Sequence, residues 1–342
     1  MSPIQLAKCL GGHGGGLGAG LRAGKSGKQP LAPSLPNNLV SRFMQHHERQ
    51  GILLALAGFI FLSLGDAVIK TMAGQWSPVA VAALRYFFGA IALAALLLRS
   101  EGKRGFRPSH PWLQLARGIC VAGATLCFFS AIFVMPLATA MAVAFVSPVL
   151  VALLSGPLLG EKTRTIVWLV SAMAMGGVVL VLRPSLAELG WVALLPLASA
   201  SFFALLVIAN RASAGQGSVL SMQAFVAIVA APPLIIAAIG GHFSGIPALA
   251  ITMPDWTIVA RCAVVAFTAS TAHWLTYLGT TRAGASTIAP TSYVQMLVAT
   301  FMGWWWFDDV PDLATLAGAG VIILAGLILW WSTPKATSKT SD

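Results

Sequence analysis

The sequence is short of charged residues. Asp, Glu, Lys and Arg make up 9% of its 342 residues, against about 25% in a soluble globular domain. So few charges cannot cover a surface that faces water, which excludes soluble enzymes and nucleic-acid-binding domains. The net charge of +11 therefore calls for an explanation other than nucleic-acid binding.

Cysteine is also scarce. Three of the four cysteines, Cys120, Cys127 and Cys262, lie in apolar runs, where a free thiol packs as a small hydrophobic group. The sequence has no Cys-x-x-Cys pair and no Cys/His cluster with the spacing of zinc ligands. We therefore expect no disulfide framework, no bound metal and no cofactor.

Long apolar runs are what the sequence has instead. Hydrophobic residues account for 57% of the chain, and a helix needs about 20 of them in succession to cross a membrane. The pattern predicts ten spans, at residues 51–72, 77–98, 112–134, 137–157, 165–183, 190–209, 219–239, 256–278, 285–306 and 312–331. These runs do not alternate, which favours helices over a β-barrel. We expect residues 1–50, rich in glycine and basic residues, to form a disordered tail, and residues 333–342 to form a second tail.

Basic residues in the loops lie almost entirely on one side of the predicted bundle. That side holds the N-terminal tail and the loops around Lys103 and Lys162, whereas the loops and span ends of the other side contain Lys70 and Arg183 alone. Loops rich in Lys and Arg stay in the cytoplasm. We therefore predict a multi-pass protein of the cell inner membrane with both termini in the cytoplasm.

A weak internal repeat accompanies this pattern. Residues 160–177 and 308–326 each combine an acidic loop with an apolar run that contains glycine, and Glu161 aligns with Asp309. Five spans separate the two loops, so the two halves must insert in opposite orientations. The predicted fold class is an all-α integral membrane protein with ten transmembrane helices in two inverted five-helix repeats, residues 51–184 and 185–332. Inverted repeats are typical of transporters.

Charged residues inside the spans are candidates for a functional site, because such charges are costly and usually face a cavity or a partner. Asp66 and Lys70 lie on one face of span 1, and Arg85 lies at a comparable depth in span 2. Asp66 and Arg85 are therefore predicted to pair. Two interpretations stay open: a structural cluster of these three residues that locks spans 1 and 2, or a group that faces a substrate cavity.

Spans 8 and 9 carry most of the other polar candidates. We assign the substrate pathway, besides Asp66 and Arg85, to His273, Tyr277, Thr291, Tyr293 and Gln295. His273 suits a substrate contact, a proton relay or a hydrogen bond between helices. Pro148 and Pro290 are expected to open the backbone of spans 4 and 9 around a cavity.

Other residues near the span ends are given structural roles. Arg117 and Arg261 are predicted to reach the lipid headgroups as anchors. Trp304, Trp305 and Trp306 are predicted to belong to an outer aromatic belt.

The arrangement as a whole resembles the drug/metabolite transporter superfamily, in its bacterial ten-span form with two EamA domains. The resemblance rests on Asp66-Ala-Val-Ile-Lys70, Arg85, Gly160-Glu161, Ala289-Pro-Thr-Ser-Tyr-Val-Gln295 and Phe307-Asp-Asp-Val-Pro-Asp312. The second half has Asp308-Asp309 where Gly-Glu is usual in the family. The resemblance implies a carrier with spans 1–5 and 6–10 around a central cavity, and relatives that move amino acids, S-adenosylmethionine, riboflavin or drugs.

The predicted function is secondary transport of a small polar organic metabolite, such as an amino acid, a vitamin like riboflavin or an S-adenosylmethionine-like or drug-like solute, by alternating access. The predicted partners are this solute, the lipid bilayer, protons as a coupling ion and a second copy of the chain in a homodimer. No enzymatic activity and no nucleic acid are expected. The alternative is a membrane-embedded metal-dependent enzyme that uses Asp308, Asp309 and Asp312.

Overall fold

The computed structural model describes residues 37–108, 110–159, 165–213, 217–283 and 288–332. Within these ranges all regular structure is helical, which confirms the all-α class. The chain from Met44 onward forms one compact unit, and Met1–Phe43 is assigned to a separate one. Most of the predicted N-terminal tail, and all of the C-terminal tail, lie outside the described residues.

The helices follow the predicted spans closely. In the first half, the helices of spans 1, 2, 3 and 5 are Asn37–Lys70, Pro78–Glu101, Pro111–Val134 and Thr165–Leu189, and span 4 is Leu137–Ala144 followed by Ser147–Leu159. In the second half, spans 6, 7, 8 and 10 are Leu195–Ala212, Val219–Phe243, Trp256–Ala283 and Leu313–Ser332. Span 9 is the 3₁₀ turn Ala289–Tyr293 followed by Val294–Phe307. Nine helices of the described residues are long and apolar enough to cross a membrane. The helical part of span 9 has 14 residues, because a 3₁₀ turn takes up its start.

Proline and glycine set several helix ends. Pro78 and Pro111 occupy the first turn of spans 2 and 3, where a missing amide hydrogen costs nothing. Span 2 ends at Gly102, whose φ of 65° is a conformation that residues with a Cβ rarely adopt. The helix of span 1 begins at Asn37, so the prediction of a disordered tail is wrong for residues 37–50, which contain neither proline nor glycine. The apolar span itself, Arg49–Lys70, begins close to the predicted position.

Helices of the first half pack against helices of the second half. The most extensive pairs are spans 5 and 10, spans 2 and 7, and spans 3 and 6. Spans 1 and 8 also approach closely, since a Cβ added to Gly58 would lie 2.6 Å from the hydroxyl of Thr276 and one added to Gly65 would lie 3.0 Å from that of Thr268. Small residues at such crossings are how membrane helices come into contact.

Spans 4 and 9 are interrupted near their prolines, as predicted. Span 4 breaks between Ala144 and Ser147, and Pro148 has no amide hydrogen to donate to the carbonyl of Ala144. Span 9 starts as a 3₁₀ turn that contains Pro290. In the predicted repeat these are corresponding helices of the two halves. The break in each places irregular backbone at membrane depth, where it is tolerated beside protein or a polar cavity.

Candidate functional site

Asp66 of span 1 and Arg85 of span 2 carry opposite charges within the apolar helices. The Arg85 guanidinium lies 5.5 Å from the ring centre of Phe129, a buried residue of span 3, and 4.8 Å from that of Tyr86. Arg85 interacts electrostatically with Asp66. Among the described residues no ion pair of 4.0 Å or less joins them, so their predicted pairing takes the form of this electrostatic interaction.

Neither charge is satisfied by another group of the described residues. Asp66 accepts no hydrogen bond there, and the contacts of Arg85 are with aromatic rings alone. Both side chains are half-buried rather than fully enclosed. The bundle therefore holds a partly accessible carboxylate and a partly accessible guanidinium that interact electrostatically.

His273 of span 8 belongs to the same electrostatic neighbourhood. It lies one turn after the buried Ala269 and next to Trp274, which is 62% exposed. His273 is itself exposed and interacts electrostatically with Arg85. Tyr277, one turn further along the helix, is 40% exposed.

The predicted residues of span 9 form a second group. The Tyr293 ring lies 5.4 Å from that of Phe145, at the break of span 4, and its hydroxyl occupies the position that a Cβ on Gly326 would need. The Thr291 hydroxyl donates a hydrogen bond of 2.6 Å to the carbonyl of Ile288. The backbone carbonyl of Gln295 accepts from Ser63 of span 1 at 2.9 Å. Spans 4, 9 and 10 therefore meet at Tyr293. The other group, Asp66, Arg85 and His273, lies on spans 1, 2 and 8 and interacts electrostatically.

Lys70 does not belong to the cluster of Asp66 and Arg85. Its ammonium group donates to the carboxylate of Asp309 and, at 3.1 Å, to the carbonyl of Met135. It also lies 5.1 Å from the centre of the Phe307 ring. The predicted three-residue lock between spans 1 and 2 is therefore wrong, because the side chain of Lys70 extends toward the loop after span 9.

The prediction that Arg117 anchors the protein to the lipid headgroups is also wrong. Arg117 is 3% exposed and donates to Asn210 at 2.6 Å and to Gln114, with the sulfur of Met222 at 3.7 Å. Its depth in span 3 allowed either a headgroup or a protein partner, and Asn210 lies too far away in the sequence to be recognised. Arg261 is half-buried and donates to the carbonyl of Thr71 and to Gln75.

Two of the three aspartates of the enzyme alternative make structural contacts, and the third ends a helix. Asp309 binds Lys70, and Asp312 accepts from the amide of Thr315 at 2.8 Å as the N-cap of span 10. Hydrogen bonding by Thr315 holds the pKa of Asp312 below its usual range. Asp308 ends span 9 with a φ of 53°. In the part of the chain that the structure describes, no group of three or more His, Cys, Asp and Glu side chains is placed to hold a metal.

Comparison with known proteins agrees with this architecture. Residues 49–183 match the model of the EamA-like transporter family. An S-adenosylmethionine uptake transporter of Rickettsia bellii is 26% identical over 84% of this chain and 96% of its own length. A pseudopaline exporter of Pseudomonas aeruginosa is 28% identical over 82% of this chain and 96% of its own. Over most of its length the chain is therefore similar to transporters of the drug/metabolite transporter superfamily.

Other relatives extend the range of solutes within the superfamily. A riboflavin transporter of Vibrio cholerae is 22% identical over 86% of this chain and 97% of its own. One crystal structure covers 82% of this chain and 96% of its own at 19% identity with a TM-score of 0.53, a likeness of fold. With nine helices of the described residues able to cross a membrane, the chain is a multi-pass membrane protein, and the transporters to which it is similar include an importer and an exporter.

Proposed function

We propose that the protein is a secondary carrier that moves a small polar organic metabolite across the bacterial inner membrane by alternating access. The observation that carries this proposal is the accessible, unpaired Asp66 and Arg85 in one electrostatic neighbourhood. Each charge alone costs roughly 2.5–3.5 kcal/mol at the centre of a membrane on insertion scales. Because the two opposite charges form no direct ion pair with each other, a solute can contact both of them.

Arg85 and Asp66 define what such a solute needs. The guanidinium offers several N–H donors in a plane, which suits a carboxylate or another oxygen acceptor. Asp66 accepts hydrogen bonds and attracts a cationic or N–H group. Phe129, whose ring centre lies 5.5 Å from the guanidinium, helps to hold Arg85 in place. A molecule with an acidic and a basic or hydrogen-bonding group fits this arrangement.

The interrupted helices support alternating access. Spans 4 and 9 correspond in the predicted inverted repeat, and both break near a proline. Discontinuous helices at the interface of inverted repeats are where many secondary transporters bind their solutes. Protons are the coupling ion in this proposal, with His273 and Asp66 as the groups that can exchange them. A homodimer and cytoplasmic termini also belong to the proposal.

The relatives suggest the first solutes to test. S-adenosylmethionine, riboflavin and amino acids are polar organic molecules of suitable size. Uptake of each radiolabelled compound into proteoliposomes, with and without an imposed proton gradient, is the direct experiment. We expect at least one to accumulate and the gradient to change its rate. Absence of flux for every compound in such a panel would contradict the proposed solute class.

Replacing Arg85 by Ala gives the largest expected loss. We expect the transport rate to fall by at least about tenfold, since one hydrogen bond to a charged group contributes about 1.5–3 kcal/mol. Asp66→Asn should also impair transport, with less loss of protein in the membrane. Arg183→Ala, at an exposed position at the end of span 5, is the matched control and should transport normally.

The double variant Asp66→Asn/Arg85→Gln distinguishes a pathway from a structural role. If the two charges stabilise only the helix packing, this variant should recover both abundance and flux. We expect abundance to recover while flux stays low. Full transport by the double variant would remove both residues from the site.

A further inference from the structure

Lys70 joins three parts of the protein at one end of the bundle. It is the last residue of span 1, Met135 follows the end of span 3, and Asp309 lies in the loop between spans 9 and 10. Lys70 is 12% exposed and Asp309 24%, so water screens this contact less than an exposed ion pair. On the predicted orientation this is the periplasmic end.

The acceptors are held rigidly. Asp308 takes a left-handed conformation, and the amide of Asp309 donates to the carbonyl of Gly303 at 3.0 Å, a helix-ending pattern that fixes the direction of the chain. Met135 is 4% exposed and has an extended backbone, which turns its carbonyl out of the helix. Without Lys70, this buried carbonyl would lose the side-chain donor that it has here.

The same end of the bundle is closed by packing between the halves. The helical part of span 9 contacts Leu137–Ala144, the first part of span 4, and Phe145 meets Tyr293 just below. A solute that passes this end must separate first-half from second-half helices. The pair of Lys70 and Asp309 crosses the same division, so it has to break whenever this end opens.

We infer that Lys70 is a gating residue: its simultaneous contacts with Asp309 and Met135 hold the periplasmic end of the carrier closed. Asp66, four residues earlier, lies on the solute side of this contact. The role of Lys70 is to position helices, and it needs no contact with the solute. The inference concerns access rather than solute identity, so its test does not require a known substrate.

A reporter cysteine measures access to the interior. Leu62 lies one turn before Asp66 on the same face of span 1 and is half-buried. We would introduce Leu62→Cys in a protein whose four native cysteines are replaced by alanine. A membrane-impermeant maleimide is then added to right-side-out spheroplasts and to inside-out vesicles, and the labelling rate is measured from each side.

We expect slow labelling from the periplasmic side in this parent. Lys70→Met and Asp309→Asn should each raise that rate by at least about fivefold, the lower end of the range for conformational coupling. The exposed neighbour Asp308 is the matched control: Asp308→Asn should stay within about twofold of the parent, since it touches neither Lys70 nor Met135. The charge swap Lys70→Asp/Asp309→Lys should label more slowly than either single variant.

Thermal unfolding of each purified variant separates gating from stabilisation. A merely structural ion pair would lower the unfolding temperature and leave the labelling rate unchanged, and that result would overturn the inference. Asp309→Asn keeps the shape of the side chain and an acceptor, so it decides the matter even if Lys70→Met fails to fold. Rapid periplasmic labelling of the parent itself would also overturn it.

Discussion

Asp66 and Lys70 lie one turn apart on the same helix, yet the protein treats their charges in opposite ways. Lys70 binds a carboxylate, a backbone carbonyl and an aromatic face. Asp66 has no hydrogen-bond or ion-pair partner among the described residues, although Arg85 and His273 share its surroundings. A satisfied charge stabilises one arrangement of helices, whereas an unsatisfied one is available to a solute or a proton. The contrast separates residues that stabilise the structure from residues that we propose to contact the solute.

The sharpest test of this contrast compares two isosteric changes. Asp309→Asn should lower the free energy of unfolding by about 2 kcal/mol, less than the 3–5 kcal/mol for a fully buried pair because both partners are partly exposed. Asp66→Asn should leave stability unchanged or raise it, since a neutral amide is cheaper to hold in the bundle than an unpaired carboxylate. Thermal unfolding in detergent measures both. Equal losses would erase the distinction between the two aspartates.

Arg117 extends the comparison to a buried cation whose partners are neutral. Asn210→Leu removes the acceptor of its Nε hydrogen bond, and we expect a loss of about 1.5 kcal/mol, the lower range for a hydrogen bond to a charged group. Asn210→Asp keeps an acceptor and adds a counter-charge, so it should be at least as stable as the parent. Chemical denaturation of the three proteins would show this order, and a stable Asn210→Leu would mean that Arg117 finds another acceptor.

Asp312 gives the smallest effect, because its charge is exposed and serves a helix end. Asp312→Ala should cost about 1 kcal/mol, as for other N-caps. Since hydrogen bonding by Thr315 lowers the pKa of Asp312, its contribution is present above the usual pKa of a carboxyl group and is lost as the pH falls through the lowered value. Asp312→Asn should retain most of the stability and lose this acid dependence, which unfolding measured from neutral to acidic pH would reveal.

Most of the fold could be predicted because membrane insertion depends on composition. Apolar runs of about 20 residues define spans wherever they occur. The helices agree with these runs, except that the helix of span 1 begins at Asn37, before its apolar run. Pro148 and Pro290 marked the breaks of spans 4 and 9 because proline lacks an amide hydrogen in any context. The aromatic belt is consistent with the exposure of Trp304, Trp305 and Trp306.

Partners of charged residues could not be predicted in the same way. Depth along a helix places Asp66 and Arg85 at one level, but helical rotation and tilt decide whether two side chains touch. Lys70 therefore donates a hydrogen bond to Asp309, and Arg117 donates one to Asn210, and both acceptors are far away in the sequence. The residues of the candidate site stay a prediction, and several contacts of the charged residues differ from the expected ones.

By itself the sequence determined that the protein lies in a membrane, where most of its spans begin and end, and which residue types are available inside them. Each of these follows from local composition and from the cost of charge in a membrane. Only the tertiary structure decided which charges are neutralised and which stay available. That choice depends on contacts between helices from opposite halves of the chain, and a side chain can accept only the partner that packing brings within hydrogen-bonding distance.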